Sequence, residues 1–161
     1  MFTANELLDM AIKLEKNGEA VYRSAIAKVK KPELVSLLEW MAAEEAKHAG
    51  FFAELKRNLK TNQVNPFVEE MSRELFDDLL GNQNFSLKEV DFSSIENTDE
   101  LLGVFIEFEK DSVIFYKVLE PFVQDPVALQ HIQKIIEEEN FHIKQLQKFI
   151  GRKISFGIIG D

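Results

Sequence analysis

The feature that most constrains this chain is a repeat carried by charged residues. The segment Ile12-Lys13-Leu14-Glu15-Lys16-Asn17-Gly18-Glu19-Ala20-Val21-Tyr22 returns 94 residues later as Ile106-Glu107-Phe108-Glu109-Lys110-Asp111-Ser112-Val113-Ile114-Phe115-Tyr116. At the same offset and without a gap, Pro32 meets Pro126, Glu44 and Glu45 meet Glu138 and Glu139, and His48 meets His142. A unit of this length is a whole helical hairpin. The matches fall on Glu, Tyr, Pro and His rather than on generic apolar positions, so the duplication preserves a site as much as a fold.

Each copy carries helix punctuation at matching places. Thr3 and Glu6 form a capping-box pattern that opens a helix over about 3–29, ended by Lys30-Lys31-Pro32. Pro32 suits the first turn of a second helix, about 32–60, which Thr61-Asn62-Gln63-Val64-Asn65-Pro66 interrupts. Thr98-Asp99-Glu100 opens a third, 98–121, and Asp125-Pro126 caps a fourth, 126–150, that stops near Gly151. The stretch 61–97 is a long crossover carrying one short amphipathic helix, roughly 66–80. With only 7 Gly and 4 Pro in 161 residues, long helices are favoured over strands. The predicted fold is all-α: one domain over 1–161, an antiparallel four-helix bundle of two hairpins joined by that crossover.

Steps of three and four pick out the inward stripe of each helix. The second gives Leu34, Leu38, Met41, Glu45, His48, Phe52, Leu55, Leu59, and the fourth gives Ala128, Ile132, Ile135, Glu139, His142, Leu146, Phe149. The first runs Leu8, Ile12, Glu15, Tyr22, Val29, and the third Leu102, Phe105, Glu109, Tyr116, Leu119. Every helix thus aims a carboxylate at the core. Four facing carboxylates with no Lys or Arg on the stripes are strongly unfavourable unless protons or cations intervene. Two divalent ions balance four Glu, and the two Glu-x-x-His spacings each set a second ligand about one turn away on the same face. Carboxylate oxygen with one imidazole per ion suits iron or manganese, and zinc is an alternative, since such sites discriminate by geometry and availability more than by raw affinity.

Glu15 with Tyr22, Glu45-Ala46-Lys47-His48, Glu109 with Tyr116, and Glu139-Asn140-Phe141-His142 resemble the ferritin-like superfamily, most closely its rubrerythrin-like branch. The resemblance covers both hairpins. It implies two iron ions bridged by Glu45 and Glu139, with Glu15, His48, Glu109 and His142 as terminal ligands. It also implies that Tyr22 and Tyr116 hydrogen-bond a ligand carboxylate or relay an electron, placing the four Glu and both Tyr in the catalytic machinery. Two departures stand out: the chain has no Cys for a rubredoxin-like domain, and Ser112 occupies the place of a further family Glu. An external electron donor, such as a separate rubredoxin-like protein, is therefore expected.

The remaining acidic residues near the motifs, Glu19, Glu44, Glu107, Asp111 and Glu138, read as solvated helix faces, with Glu19 the nearest reserve ligand. His131 lies off its stripe and reads as exposed. Trp40, Phe51, Phe52 and Phe141 read as core or interface, and 14 Phe suggest a homo-oligomer, a dimer or larger. The net charge of −9 argues against nucleic acid and anionic membranes as partners. With no signal-like start and no apolar run of membrane-spanning length, a soluble cytoplasmic protein is expected. The leading functional expectation is an oxidoreductase reducing hydrogen peroxide or dioxygen. The alternatives are a ferroxidase serving iron storage or delivery, and a metal-free interaction bundle.

Overall fold

The structure, a computed structural model, describes residues 4–58 and 97–158, with side chains up to 150. Four long helices account for nearly all of these residues: α1 (Ala4–Ile26), α2 (Pro32–Asn58), α3 (Thr98–Leu119) and α4 (Pro126–Ile158), with a 3₁₀ turn, Glu120–Phe122, after α3. No strand occurs among the described residues. The fold is the all-α four-helix bundle expected. The crossover helix at 66–80, the Thr3 cap and the side chains of the apolar tail lie outside the described residues.

Local chemistry sets the helix ends. Asn97 caps α3, its Oδ1 accepting from Glu100 N at 2.7 Å, one residue ahead of the Thr98 start read from the sequence. Asp125 caps α4 through Val127 N at 3.1 Å, and Pro126 takes the first helical position, where its missing N–H costs nothing. In α2, Glu33 in the first turn and Lys56 and Arg57 in the last complement the helix dipole. The first helix ends at Ile26, short of Val29, because Lys28 N and Val29 N already turn back to Ala25 O and Ile26 O. The fourth continues through Gly151 to Ile158. A helical glycine costs only about 1 kcal/mol, too little to stop a helix that no following proline breaks.

α1 packs mainly on α2, and α3 on α4, giving the two hairpins, which then meet around one core. That core includes Leu7, Leu8, Ala11 and Leu14 of α1, Leu34, Leu38, Met41 and Phe52 of α2, Phe105, Phe108 and Phe115 of α3, and Ile132, Ile135 and Leu146 of α4. The buried face of α1 centres on Ala11 and Leu14, so Ile12 and Val29, assigned to its stripe, are only partly buried. Gly18 lets α1 and α3 approach closely: a Cβ there would sit 3.0 Å from Phe108 Cε1 and 3.5 Å from Glu45 Oε2.

Candidate metal centre

Near the middle of the bundle the apolar layers are interrupted by polar residues. Glu15 of α1, Glu45 and His48 of α2, Glu109 of α3, and Glu139 and His142 of α4 are all buried, and no Lys or Arg is buried among the described residues. Ligand-capable atoms of Glu15, Glu45, His48 and Glu139 lie within 4.8 Å of one another, as do those of Glu45, Glu109, Glu139 and His142. The two sets overlap in Glu45 and Glu139. The result is a pair of adjacent donor sets, each with one imidazole and one private carboxylate, sharing two carboxylates.

Both imidazoles face inward through Nδ1. His48 Nδ1 lies 2.8 Å from Glu139 Oε1 and 3.5 Å from Glu15 Oε1. His142 Nδ1 lies 3.5 Å from Glu45 Oε1 and from Glu109 Oε2, and 3.7 Å from Glu139 Oε2. The two rings stack with centroids 6.4 Å apart. Despite this proximity, Glu15 Oε2, Glu45 Oε1, Glu109 Oε2, both Glu139 oxygens and both Nδ1 atoms have no hydrogen-bond partner of proper geometry among the described residues. Buried polar atoms are rarely left so, because each costs about 1–3 kcal/mol or more. Hard oxygens and imidazole nitrogens that converge on one space, with close contacts but no hydrogen bond of proper geometry for these atoms, are the donor set a pair of divalent cations requires. The residues fit such a pair.

Without cations, protons take over the balancing of charge. Burial, reinforced by the Glu139 charge, holds the Glu15 and Glu45 carboxyls well above the usual range and pushes Glu109 up to about 8. Burial also opposes the charge on Glu139, but contacts with Glu109, His142 and His48 outweigh it and keep this carboxylate below the usual range. For the imidazoles burial favours the neutral form, yet the facing carboxylates win. Glu139 leads in pushing His48 up to about 9, and Glu109 with Glu139 pushes His142 up to about 12.

The tyrosines cross over between the halves. Tyr22 of α1 donates to Glu109 Oε1 of α3, and Tyr116 of α3 donates to Glu15 Oε1 of α1. Both rings are fully buried, Tyr22 edge-on to Phe105 at 4.9 Å and Tyr116 stacked on Phe52 at 5.1 Å. Each carboxylate private to one donor set is thus fixed by a hydroxyl from the opposite hairpin, leaving its other oxygen bare.

The nearby acidic residues sort differently from the sequence reading in three cases: Glu138, Asp111, and Glu44, which is largely enclosed within 4.8 Å of His48 and Glu138. Glu19 pairs with Arg23 at 3.1 Å, Glu44 with Lys47 at 3.3 Å and Glu107 with Lys110 at 3.4 Å, as helix-surface ion pairs do. Asp111 is half-buried, and burial together with the Glu107 charge pushes it up to about 6. Ser112 is buried, and its hydroxyl donates to Phe108 O at 3.0 Å. Glu138 departs furthest: it does not simply face solvent, because its Oε2 accepts from His48 Nε2 at 2.7 Å. Its position four residues before His142 was visible, but the imidazole it meets belongs to another helix. Of the aromatics, Phe52 is buried, His131 is exposed and stacks on Phe51 at 3.9 Å, and Trp40 and Phe141 are 40% and 48% exposed.

Among solved structures, a ferritin-like diiron-carboxylate protein from Thermotoga maritima superposes with a TM-score of 0.67. It is 20% identical, and the match covers 91% of this chain and 93% of that one, which establishes a shared fold. No curated protein matches the sequence. The sequence model of the rubrerythrin family matches residues 6–150, both hairpins and the crossover between them. A bundle with paired Glu and Glu-x-x-His donor sets, matched over nearly its whole length, therefore belongs to the rubrerythrin family.

Proposed function

We propose that this protein is a di-iron oxidoreductase that reduces hydrogen peroxide. The observation that carries the reading is the overlap of the two buried donor sets in Glu45 and Glu139. Glu45 and Glu139, common to both sets, would be held by both ions, and Glu15 with His48, and Glu109 with His142, would each serve one. When bound, two ferrous ions supply one electron each, so that with two protons one hydrogen peroxide becomes two water molecules.

This chain's own residues make that chemistry controllable. The Tyr22 and Tyr116 hydroxyls hold Glu109 and Glu15 in orientation. Phe52, Phe105, Phe108 and Met41 are fully buried in the surrounding core and limit water around the charged groups. The carboxyls that hold protons in the cation-free protein release them when ions bind, because coordination needs the ionised form. With no Cys in the chain, re-reduction falls to an external electron-carrying protein.

The test is anaerobic loading with ferrous ion, measurement of stoichiometry, and rapid mixing with peroxide and, separately, with air. About two ions per chain and faster oxidation by peroxide than by air are expected. Rapid oxidation by air alone, with the oxidised iron leaving the centre and further ferrous ion being turned over, converts the reading to a ferroxidase. A loaded centre inert to both oxidants overturns it.

A further inference from the structure

The two halves of the sequence repeat, but the surroundings of their imidazoles do not. His48 Nε2 donates to Glu138 Oε2 at 2.7 Å, and Glu138 in turn faces Lys134 Nζ at 3.8 Å. Glu138 is 30% exposed in its side chain, whereas His48 is 96% enclosed. The outward nitrogen of His142 has no such acceptor: His142 Nε2 is without a hydrogen-bond partner among the described residues. In place of a carboxylate, the Trp40 ring lies edge-on to His142 at 5.1 Å and is itself edge-on to Phe141 at 5.8 Å.

The asymmetry is written in the repeat. At the offset that superposes the hairpins, Trp40 falls on Lys134 and Lys47 on Phe141. One imidazole is therefore backed by an ionic pair, Lys134 and Glu138, and the other by an aromatic pair, Trp40 and Phe141. Glu44, the counterpart of Glu138, pairs with Lys47 and gives no hydrogen bond to His142.

We propose that Glu138 is a positioning residue for His48 and makes the two metal positions inequivalent, the one built by Glu15 and His48 binding its ion more tightly. An acceptor on Nε2 fixes the tautomer with the proton on that nitrogen, keeps the Nδ1 lone pair directed at Glu139 and Glu15, and raises the ring's strength as a ligand. On its outer side the His142 ring meets only the Trp40 ring, so no acceptor on Nε2 fixes its tautomer. The inference rests on the two-metal reading above.

The experiment is anaerobic titration of the full chain with ferrous ion, followed by calorimetry and by the iron Mössbauer spectrum of the loaded form. Wild-type protein is expected to bind in two resolved steps and to show two distinct ferrous signals. Glu138→Ala should weaken the first step by about 10- to 100-fold and bring the two signals together, the scale usual for loss of an outer partner to a ligand imidazole. Glu138→Gln, whose amide oxygen still accepts from Nε2, should restore part of that affinity and the separation of the signals. It also serves if the alanine variant folds poorly. Glu44→Ala, which removes a second carboxylate within 4.8 Å of His48 and Glu138 but not the acceptor on Nε2, should cost clearly less than Glu138→Ala and keep the two signals apart.

Two wild-type steps that survive Glu138→Ala unaltered overturn the inference while leaving the metal centre standing. A loss in Glu138→Gln equal to that in Glu138→Ala, or an equal loss in Glu44→Ala, also overturns it, because local negative charge would then act in place of orientation. Failure of the wild type to bind two ions removes the centre itself and the inference with it.

Discussion

Tyr22 hydrogen-bonds Glu109, a carboxylate on another helix 87 residues away in sequence, although Glu15 stands only two turns away on its own helix. The repeat-related pair, Tyr116 and Glu15, makes the reciprocal bond. The two hairpins are thereby stitched together at the level of the centre by two buried hydroxyl-to-carboxylate contacts.

Replacing Tyr22 by Phe removes the donor and leaves Glu109 Oε1 buried without it. Loss of about 1–3 kcal/mol of stability is expected in the metal-free protein, read by chemical denaturation. Tyr116→Phe should act in the same direction through Glu15. Unchanged midpoints in both variants would show that the hydroxyls do not stabilise the bundle.

Glu45→Ala and Glu139→Ala each remove a carboxylate common to both donor sets. Each variant is expected to lose tight binding of both ions, whereas Glu15→Ala and Glu109→Ala, which touch one set apiece, should retain about one ion. Metal analysis after desalting checks this, and retention of two ions by Glu45→Ala would overturn the bridging assignment.

Binding of cations should raise the melting temperature, because the unfolded chain has no assembled site. At a free ion concentration of about 100 times the dissociation constant, the gain is about 2.7 kcal/mol. Addition of a chelator should reverse it, as followed by calorimetry.

The metal-free protein should lose stability as pH rises. Glu109, raised from 4.5 to about 8, and His48, raised from 6.5 to about 9, both hold protons more tightly when folded. Their contributions are complete below 4.5 and 6.5 respectively and disappear as pH passes 8 and 9. Glu139, lowered by its partners, contributes in the opposite sense, but its loss falls on the acid side of its unfolded value. Denaturation midpoints measured with chelator from pH 6 to 9 should therefore decline, and a rise over that window would contradict the account.

Gly18→Val places branched carbon where a Cβ alone would already lie 3.0 Å from Phe108 and close to Glu45 Oε2. Overpacking at such a contact costs about 1–3 kcal/mol. The displaced Glu45 should also weaken ion binding, a combined effect that a substitution at exposed Gly50, with open space around it, should not reproduce.

The helices, their caps at Asp125 and their inward stripes were legible because each depends on residues within a turn or two of one another. The six polar residues of the centre were legible for a further reason: the repeat singled them out at positions a bundle ordinarily gives to Leu or Ile. Less readable were the limits of α1 and α4, where a weak breaker such as Gly151 does not decide the outcome. Glu138 was read as surface because its neighbours on α4 reveal nothing about an imidazole on α2.

By itself, then, the sequence determined that four helices would each carry a carboxylate to the core and that two of them would add a histidine, since a period of 3.6 residues fixes which side chains share a face. The sharing of Glu45 and Glu139 was implied by the family resemblance and not by any spacing, and only the tertiary structure decided that each tyrosine serves the opposite hairpin and that His48 is backed by Glu138 while His142 is backed by Trp40. Those are relations between helices, set by how the two hairpins close on one another, and no local pattern along a single helix contains them.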